Sequence, residues 1–256
     1  MIEMLVAASL LLPAHAPVPG GVAVIALGAH AQPPVVEYRN RRVLAVEGDE
    51  GWVAVVGIPL SAEPGAHELR VGGNTLVFDI DDKAYETQRL TIANERMVNP
   101  LPEDIARINA ERPRLQRARA TFSPHAPSSF RLAPPAEGRR SSAFGLRRVL
   151  NDQPRGPHSG IDIAAPTGSQ IQAPAPGTVI ETGEFYYTGN TVFVDHGRGF
   201  VTAYYHMDSV GVAPGDTVNT GDLLGTIGET GRVTGPHLHF VVLLNGEMVD
   251  PDLFLQ

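Results

Sequence analysis

Short apolar runs punctuated by turn residues constrain this chain more than any other feature. Between Val22 and Ile92 such runs recur about every ten residues, with Gly, Pro, Asn or Asp in most gaps. V-A-V-I-A-L at 22–27, V-L-A-V at 43–46, W-V-A-V-V at 52–56 and T-L-V-F at 75–78 are examples. Runs of this length bounded by turns are read as strands. The expectation for residues 17–95 is an immunoglobulin-like β-sandwich. It carries no cluster of polar residues that would do chemistry, so its expected role is binding, spacing or docking. From Ser141 onward the chain is again all-β, and it contains a weak internal repeat. P-G-T-V-I-E-T-G at 176–183 matches P-G-D-T-V-N-T-G at 214–221 once a single residue is inserted. Two such units facing each other make a closed or sandwiched barrel. The fold class is therefore mainly β: an N-terminal sandwich, a short linker helix and a C-terminal duplicated hybrid-motif β-barrel or sandwich over 137–256.

Residues 96–136 change character. Pro100 and Pro102 stop the sheet, and Pro102 is suited to open a helix. Glu103 and Asp104 then fall in its first turn, where acids suit the dipole. Ile105, Ile108 and Leu115 can line one face, and Pro113 should interrupt or kink the helix. Arg112, Arg114, Arg117 and Arg119 make a basic patch. The plain reading is a solvated linker helix; the sharper one is an arm that meets an anionic surface. Residues 121–136 are rich in Pro, Ser and Ala and read as an irregular linker, with His125 in an exposed loop.

The first sixteen residues hold an apolar run at 4–12 followed by Ala14-His15-Ala16, an A-x-A cleavage signal. The run is too short to span a bilayer as a mature helix. Its leading segment carries Glu3 and no Lys or Arg, which is the defect in this reading. A signal peptide over 1–16 and no mature transmembrane segment are expected; the rivals are a short buried segment or a misassigned start. A formal net charge of −8 argues against a nucleic-acid partner. There is no cysteine, which excludes thiolate ligands, cysteine nucleophiles and disulfides. Any metal must be held by His and carboxylate.

Such residues cluster in two stretches, G-P-H-S-G-I-D at 156–162 and G-P-H-L-H-F at 235–240. His237 and His239 stand two apart in a strand-like segment, so both imidazoles project to one face and reach one cavity. His158 and Asp162 stand four apart, roughly 13 Å on a straight strand, too far for two ligands of one ion. A kink at Ser159-Gly160 is needed to bring them together. His206 ends an apolar strand, where a histidine is ordinarily a satisfied core residue. His196, in Asp195-His196-Gly197, reads as structural at a turn.

Together, H-S-G-I-D at 158–162, H-L-H at 237–239 and Y-Y-H at 204–206 resemble the lysostaphin/LytM-like zinc metallo-endopeptidases. The run G-R-V-T-G-P-H-L-H at 231–239 is specific to that family. The N-terminal β-domain and N-E-R-M-V-N-P at 94–100 resemble its proteobacterial subgroup with an N-terminal immunoglobulin-like domain. The resemblance implies that His158, Asp162 and His239 bind one zinc ion per chain. It implies that His206 and His237 are the catalytic pair, whereas spacing alone made His237 a ligand. Asn190 matches a recurrent position, and with Tyr204 it is expected at the substrate groove. The implied activity is hydrolysis of peptide bonds in peptidoglycan stems or cross-links, in the periplasm of a Gram-negative bacterium. An envelope protein is an expected partner through the N-terminal domain.

Two rivals are weighed. A non-catalytic relative would bind peptidoglycan or activate a cell-wall amidase, but such relatives lose ligands, and all five polar positions are present here. A biotinyl or lipoyl carrier shares the barrel-like repeat, but it needs a lysine to acylate. The only lysine is Lys83, in the other domain.

Overall fold

The computed structural model describes residues 12–255. The apolar run at 4–12 thus lies outside the described residues, apart from Leu12. The segment that follows is tied down. The Ala14 N–H donates to the Leu253 carbonyl (3.0 Å), Ala16 bridges to Val22, and His15 Nδ1 accepts from the Val24 N–H (3.0 Å). Among the described residues, no helix is long and apolar enough to cross a membrane.

Six strands build the N-terminal part: β1 (Val22–Gly28), β2 (Val36–Tyr38), β3 (Arg41–Gly48), β4 (Gly51–Gly57), β5 (Gly65–Val71) and β6 (Asn74–Ile80). They pair antiparallel in the order β1-β4-β3-β2-β5-β6. The expected sandwich is one sheet that folds on itself at β3, which serves both halves. Val43 pairs with Val36 of β2, while Leu44 pairs with Val55 of β4. Between the halves lie Ala23, Ala45, Val56, Leu69 and Val71.

The β1-β4-β3 half is buried on both faces over Val22–Ala23, Val43–Val46 and Ala54–Val56. Alternate residues Val22, Leu44, Val46 and Val55 leave the sandwich core and join the large core of the C-terminal part. Strands covered on both sides lose the in/out alternation and read as continuous apolar runs, which is what residues 22–27, 43–46 and 52–56 are. Polar contacts seal the junction. Asn245 accepts from the Gly57 N–H (2.6 Å) and donates to the Gly57 carbonyl (3.0 Å). Arg198 donates to the Ala45 carbonyl (2.8 Å).

Strand β7 (Thr87–Leu90), which the sequence assigned to the N-terminal domain, pairs elsewhere. It runs parallel to β9 (Arg147–Leu150), Thr87 opposite Arg147, and β9 pairs with β10 (Gln153–Pro154). Between them the chain forms helix α1 (Pro102–Arg119) and β8 (Arg139–Ser142). Helix α1 continues through Pro113. Asp104 caps it by accepting from the Leu101 N–H (3.0 Å), and Arg96 grips the same carboxylate (2.5 and 2.8 Å). The apolar stripe is narrower than expected: Leu115 and Ala118 pack inward, while Ile105 is exposed. Part of the basic patch meets an acidic surface within the same chain, with Arg114 pairing with Glu181 at 2.7 Å. The segment at 121–136 is irregular but not loose, because Phe130 and Leu132 are fully buried. His125 is exposed, as expected.

The remaining strands are β11 (Ile161–Ala164), β12 (Gln170–Gln172), β13 (Gly177–Phe185), β14 (Gly189–Gly197), β15 (Phe200–Val210), β16 (Thr217–Val218), β17 (Leu223–Ile227), β18 (His237–Leu244) and β19 (Glu247–Val249). The main path is β16-β13-β14-β15-β18-β11-β8. The two copies of the sequence repeat lie side by side, with Gly177 opposite Val218 and Thr178 opposite Thr217. Buried His196 bonds to the Pro176 carbonyl (2.7 Å) and to Thr202 (2.8 Å). Burial pushes its pKa down to about 4, so it is a neutral structural group.

Candidate active site

Strand register assembles the cluster. Antiparallel β11 and β18 set Asp162 directly opposite His239, and β15 sets Tyr205 opposite His239 on the other side. Directly opposite residues share a face, so the carboxylate and the two rings meet there. The Tyr205 ring lies nearly parallel to that of His239 (centroids 5.4 Å apart, 15° between planes).

His158 reaches the cluster because it is not on a strand. It lies in the loop before β11, which is the departure from a straight strand that the spacing required. Gly160 permits the approach. A Cβ there would stand 2.3 Å from the Phe240 carbonyl oxygen and 2.9 Å from His239 Nε2. Since the first contact is with backbone, it cannot relax by a rotamer change. Gly160→Ala should therefore push this loop off β18 and weaken metal binding at least tenfold, read by competition with a chromogenic chelator. Unchanged affinity would show that the loop needs no such close approach.

The three donors converge on one point. Asp162 Oδ1 stands 2.9 Å from His158 Nε2 and 2.7 Å from His239 Nδ1, and the two nitrogens are 2.9 Å apart. All three residues are buried. His158 Nδ1 lies 2.6 Å from the Ala143 carbonyl, which can only accept, so Nδ1 carries the proton. In the neutral ring, Nε2 then turns a lone pair toward a carboxylate oxygen. Acceptor facing acceptor is repulsive unless a cation sits between them, so the donor set fits a metal ion. Nitrogen and oxygen donors without thiolate suit a zinc-type site. Burial alone would raise the Asp162 pKa, but the close imidazoles of His158 and His239 outweigh it and hold the carboxyl well below the usual range. Burial pushes His239 down to about 4, against the pull of Asp162.

His206 arrives by a bulge. On β15, Tyr204 faces the main core, while Val201, Ala203 and Tyr205 face the side that His239 occupies. Strict alternation would send His206 into the core with Tyr204. Instead, β14 offers one residue, Thr191, against two on β15, Tyr205 and His206. His206 takes a left-handed backbone, φ 65°. That conformation is uncommon for a residue with a side chain and clusters at functional sites. Its ring ends 4.9 Å from that of His237. Asn190 braces the bulge by donating to the Met207 and Asp208 carbonyls (both 3.1 Å), and Thr230 Oγ1 donates to the Met207 carbonyl (2.8 Å). Tyr204, expected at the groove, is instead fully buried with its hydroxyl against Thr202, so it belongs to the core. The neighbour Tyr205 is the tyrosine at the cluster.

The two remaining histidines are oriented alike. His206 Nδ1 donates to the Thr230 carbonyl (2.8 Å), and His237 Nδ1 donates to the Gly235 carbonyl (2.8 Å). Each neutral ring therefore keeps a lone pair on Nε2. For His237, that atom lies 3.7 Å from Asp162 Oδ1. Burial, and then the neighbouring His237 and His239, hold the His206 pKa well below its ordinary value. Sequence reasoning missed Arg148, which donates to the other Asp162 oxygen (2.9 Å) and leaves Oδ1 for the cluster. It also missed the carbonyls of Ala143, Thr230 and Gly235. Nothing in a residue name marks a backbone carbonyl as the orienting partner of a distant ring.

Two family models match this chain: peptidase family M23 over residues 156–251, and the peptidase family M23 N-terminal domain over 15–83. A crystal structure from Pseudomonas aeruginosa assigned to peptidase M23 is 41% identical. It superposes with a TM-score of 0.78, over 93% of this chain and 94% of that one. The chain belongs to peptidase family M23. Similar proteins also include peptidoglycan DD-endopeptidase ShyA of Vibrio cholerae, 39% identical over 113 residues (44% of this chain, 26% of that protein). DD-carboxypeptidase/endopeptidase Mpg of Neisseria meningitidis is 38% identical over 122 residues (48% of this chain, 28% of that protein). The matched regions thus span little more than a quarter of those relatives. All five polar positions of the cluster fall within the M23 match.

Proposed function

We propose that this chain is a zinc-dependent endopeptidase that hydrolyses peptide cross-links or stem peptides of peptidoglycan. One observation carries the reading. Two histidines, each with Nδ1 tied to a backbone carbonyl, present Nε2 beside a buried His-Asp-His cluster. The names of the similar proteins ShyA and Mpg supply the substrate class.

In this reading His158, Asp162 and His239 hold the zinc ion, with Arg148 fixing the carboxylate from behind. A bound zinc ion supplies Lewis acidity, polarising a peptide carbonyl and acidifying water. His206 and His237 manage the proton. A lone pair on Nε2 takes the proton of the attacking water, and the same nitrogen returns it to the leaving amine. A ring protonated at Nε2 becomes a donor toward the developing oxyanion. His206, held neutral by burial, is an acceptor at neutral pH. The bulge and its Asn190 and Thr230 braces keep it aimed.

Such a substrate implies export, and the sources of the similar proteins, Vibrio cholerae and Neisseria meningitidis, favour the periplasm of a Gram-negative bacterium. The surface we assign to an envelope partner is the outer strand β6, where Val77 stands 67% exposed. The test is digestion of purified sacculi with and without a chelator, with the released muropeptides identified. Uncross-linked muropeptides or shortened stems should accumulate as cross-linked species fall, and the change should stop with chelator and resume with added zinc. Intact sacculi in the presence of zinc would favour a binding or amidase-activating module instead.

A further inference from the structure

The cleft that opens on Asp162 and His237 has a volume of about 290 Å3 and is lined by three arginines, Arg139, Arg148 and Arg232. Asp162 is the only carboxylate in its lining, and Arg148 already bonds to it. A cationic cleft in a chain of net charge −8 is a local feature, not a reflection of composition. Arg232 stands out within it. Among the described residues its guanidinium has no hydrogen bond or ion pair; it lies over the Tyr187 ring, 4.5 Å from the centroid. Only its backbone N–H is engaged, with the Tyr187 carbonyl (2.9 Å). Arg139 is exposed to solvent, and the two other arginines near Arg232 are better supplied. Arg155 bonds to Val98, Asn99 and Gln153, and Arg148 to Ser142 and Asp162. Arg148 still keeps a buried Nε with no partner. Burial, with Arg148 and Arg155 nearby, disfavours the charged form of Arg232. A half-buried guanidinium that is stacked, like-charge crowded and without an acid is prepared for an incoming anion. Its planar fork matches a carboxylate.

We propose that Arg232 is a carboxylate-binding residue of this cleft, so that the peptide cleaved carries a free carboxylate next to the scissile amide. The inference rests on the endopeptidase reading and names the substrate class for it. Because Arg148 touches both the cleft and Asp162, the cationic lining comes within one residue of the reacting bond. The same lining should disfavour a peptide whose neighbouring carboxylate is amidated.

The test uses two synthetic cross-linked peptides. They differ only in whether the residue supplying the amine to the cross-link carries a free carboxylate or its carboxamide. The zinc-loaded full chain should hydrolyse the carboxylate peptide with kcat/KM about tenfold or more above the carboxamide, the usual worth of a charge-assisted bond. Arg232→Gln should bring that ratio to near one by slowing the carboxylate peptide alone. Arg232→Lys, which keeps the charge without the fork, should retain part of the preference and serves where the Gln variant folds poorly. Equal rates in the wild type, or equal slowing of both peptides in Arg232→Gln, would overturn the assignment. If neither peptide is hydrolysed, calorimetric binding to the same zinc-loaded protein separates the two readings. Tighter binding of the carboxylate peptide that is lost in Arg232→Gln keeps the subsite and ends the endopeptidase reading. Equal binding of both ends the subsite.

Discussion

Replacing His206 or His237 with alanine should abolish peptidoglycan cleavage while leaving the metal content intact. Neither residue is among the three donors that converge within hydrogen-bond distance of one another. Both keep Nε2 unprotonated in the neutral ring, so each removal deletes a proton acceptor beside the cluster. Loss of a positioned acid–base group or an oxyanion donor costs on the order of a hundredfold or more. His239→Ala should behave differently. It removes the residue that faces both His158 and Asp162, and it leaves the carboxylate with fewer partners. Zinc content after dialysis, measured beside the rate on sacculi, separates the two classes. If His237→Ala loses zinc while His239→Ala keeps it, the two roles are reversed. If His206→Ala and His237→Ala both cleave at the wild-type rate, the histidine pair is not the catalytic machinery.

The cluster was legible in part because strand chemistry is periodic. His237 and His239, two apart on a strand, must share a face, and β18 presents them that way. The gap between His158 and Asp162 demanded a break in the strand, and the chain leaves the strand at Gly160. His206 was legible only through the family resemblance. Its orientation depends on one extra residue in β15 relative to β14, and a bulge of that kind has no residue signature when no glycine marks it. The same bulge parts Tyr204, expected at the groove, from the face that His206 reaches. Alternation counted back from His206 puts Tyr204 on the face of the site, but the bulge breaks the count, and Tyr205 is the tyrosine against His239.

In the fold, the signal that went unread lay in plain view. An exposed sandwich would alternate apolar and polar residues along its strands. Residues 22–27, 43–46 and 52–56 do not alternate, and that lack of alternation marks a sheet covered on both faces, which holds fully for Val22–Ala23, Val43–Val46 and Ala54–Val56. The outer strand β6 is mostly exposed, which fits its T-L-V-F-D pattern poorly. Leu76 and Val77 are apolar by sequence yet partly in solvent. Strand assignment from composition therefore succeeded, while the partner of each strand face did not follow from it. Strand β7 is the sharpest case. Its parallel partner β9 lies some sixty residues on, beyond the reach of any local pattern.

Excising residues 137–256 should leave a fragment that does not fold cooperatively, although the sequence sets that segment out as a separate C-terminal barrel or sandwich. Val22, Leu44, Val46 and Val55 of the N-terminal sheet are buried in the same core as Leu238, Val242, Leu244 and Val249. Burying four such side chains is worth about 6–12 kcal/mol at most, comparable to the net stability of a whole domain. Their removal leaves an equal apolar face in water on the C-terminal side. The cut also deletes Phe130 and Leu132, both fully buried, and the strand β7 that supports β9. Arg148 sits on β9 and holds Asp162, so the damage should reach the metal cluster. The measurement is thermal unfolding of the fragment and of the full chain, with zinc affinity taken on each. A fragment that is monomeric, melts in one cooperative transition and binds zinc as tightly as the full chain would show that the N-terminal sheet merely leans on a finished domain. Loss of cooperativity would show that the two parts are one folding unit, with one side of the core closed by strands that carry none of the chemistry.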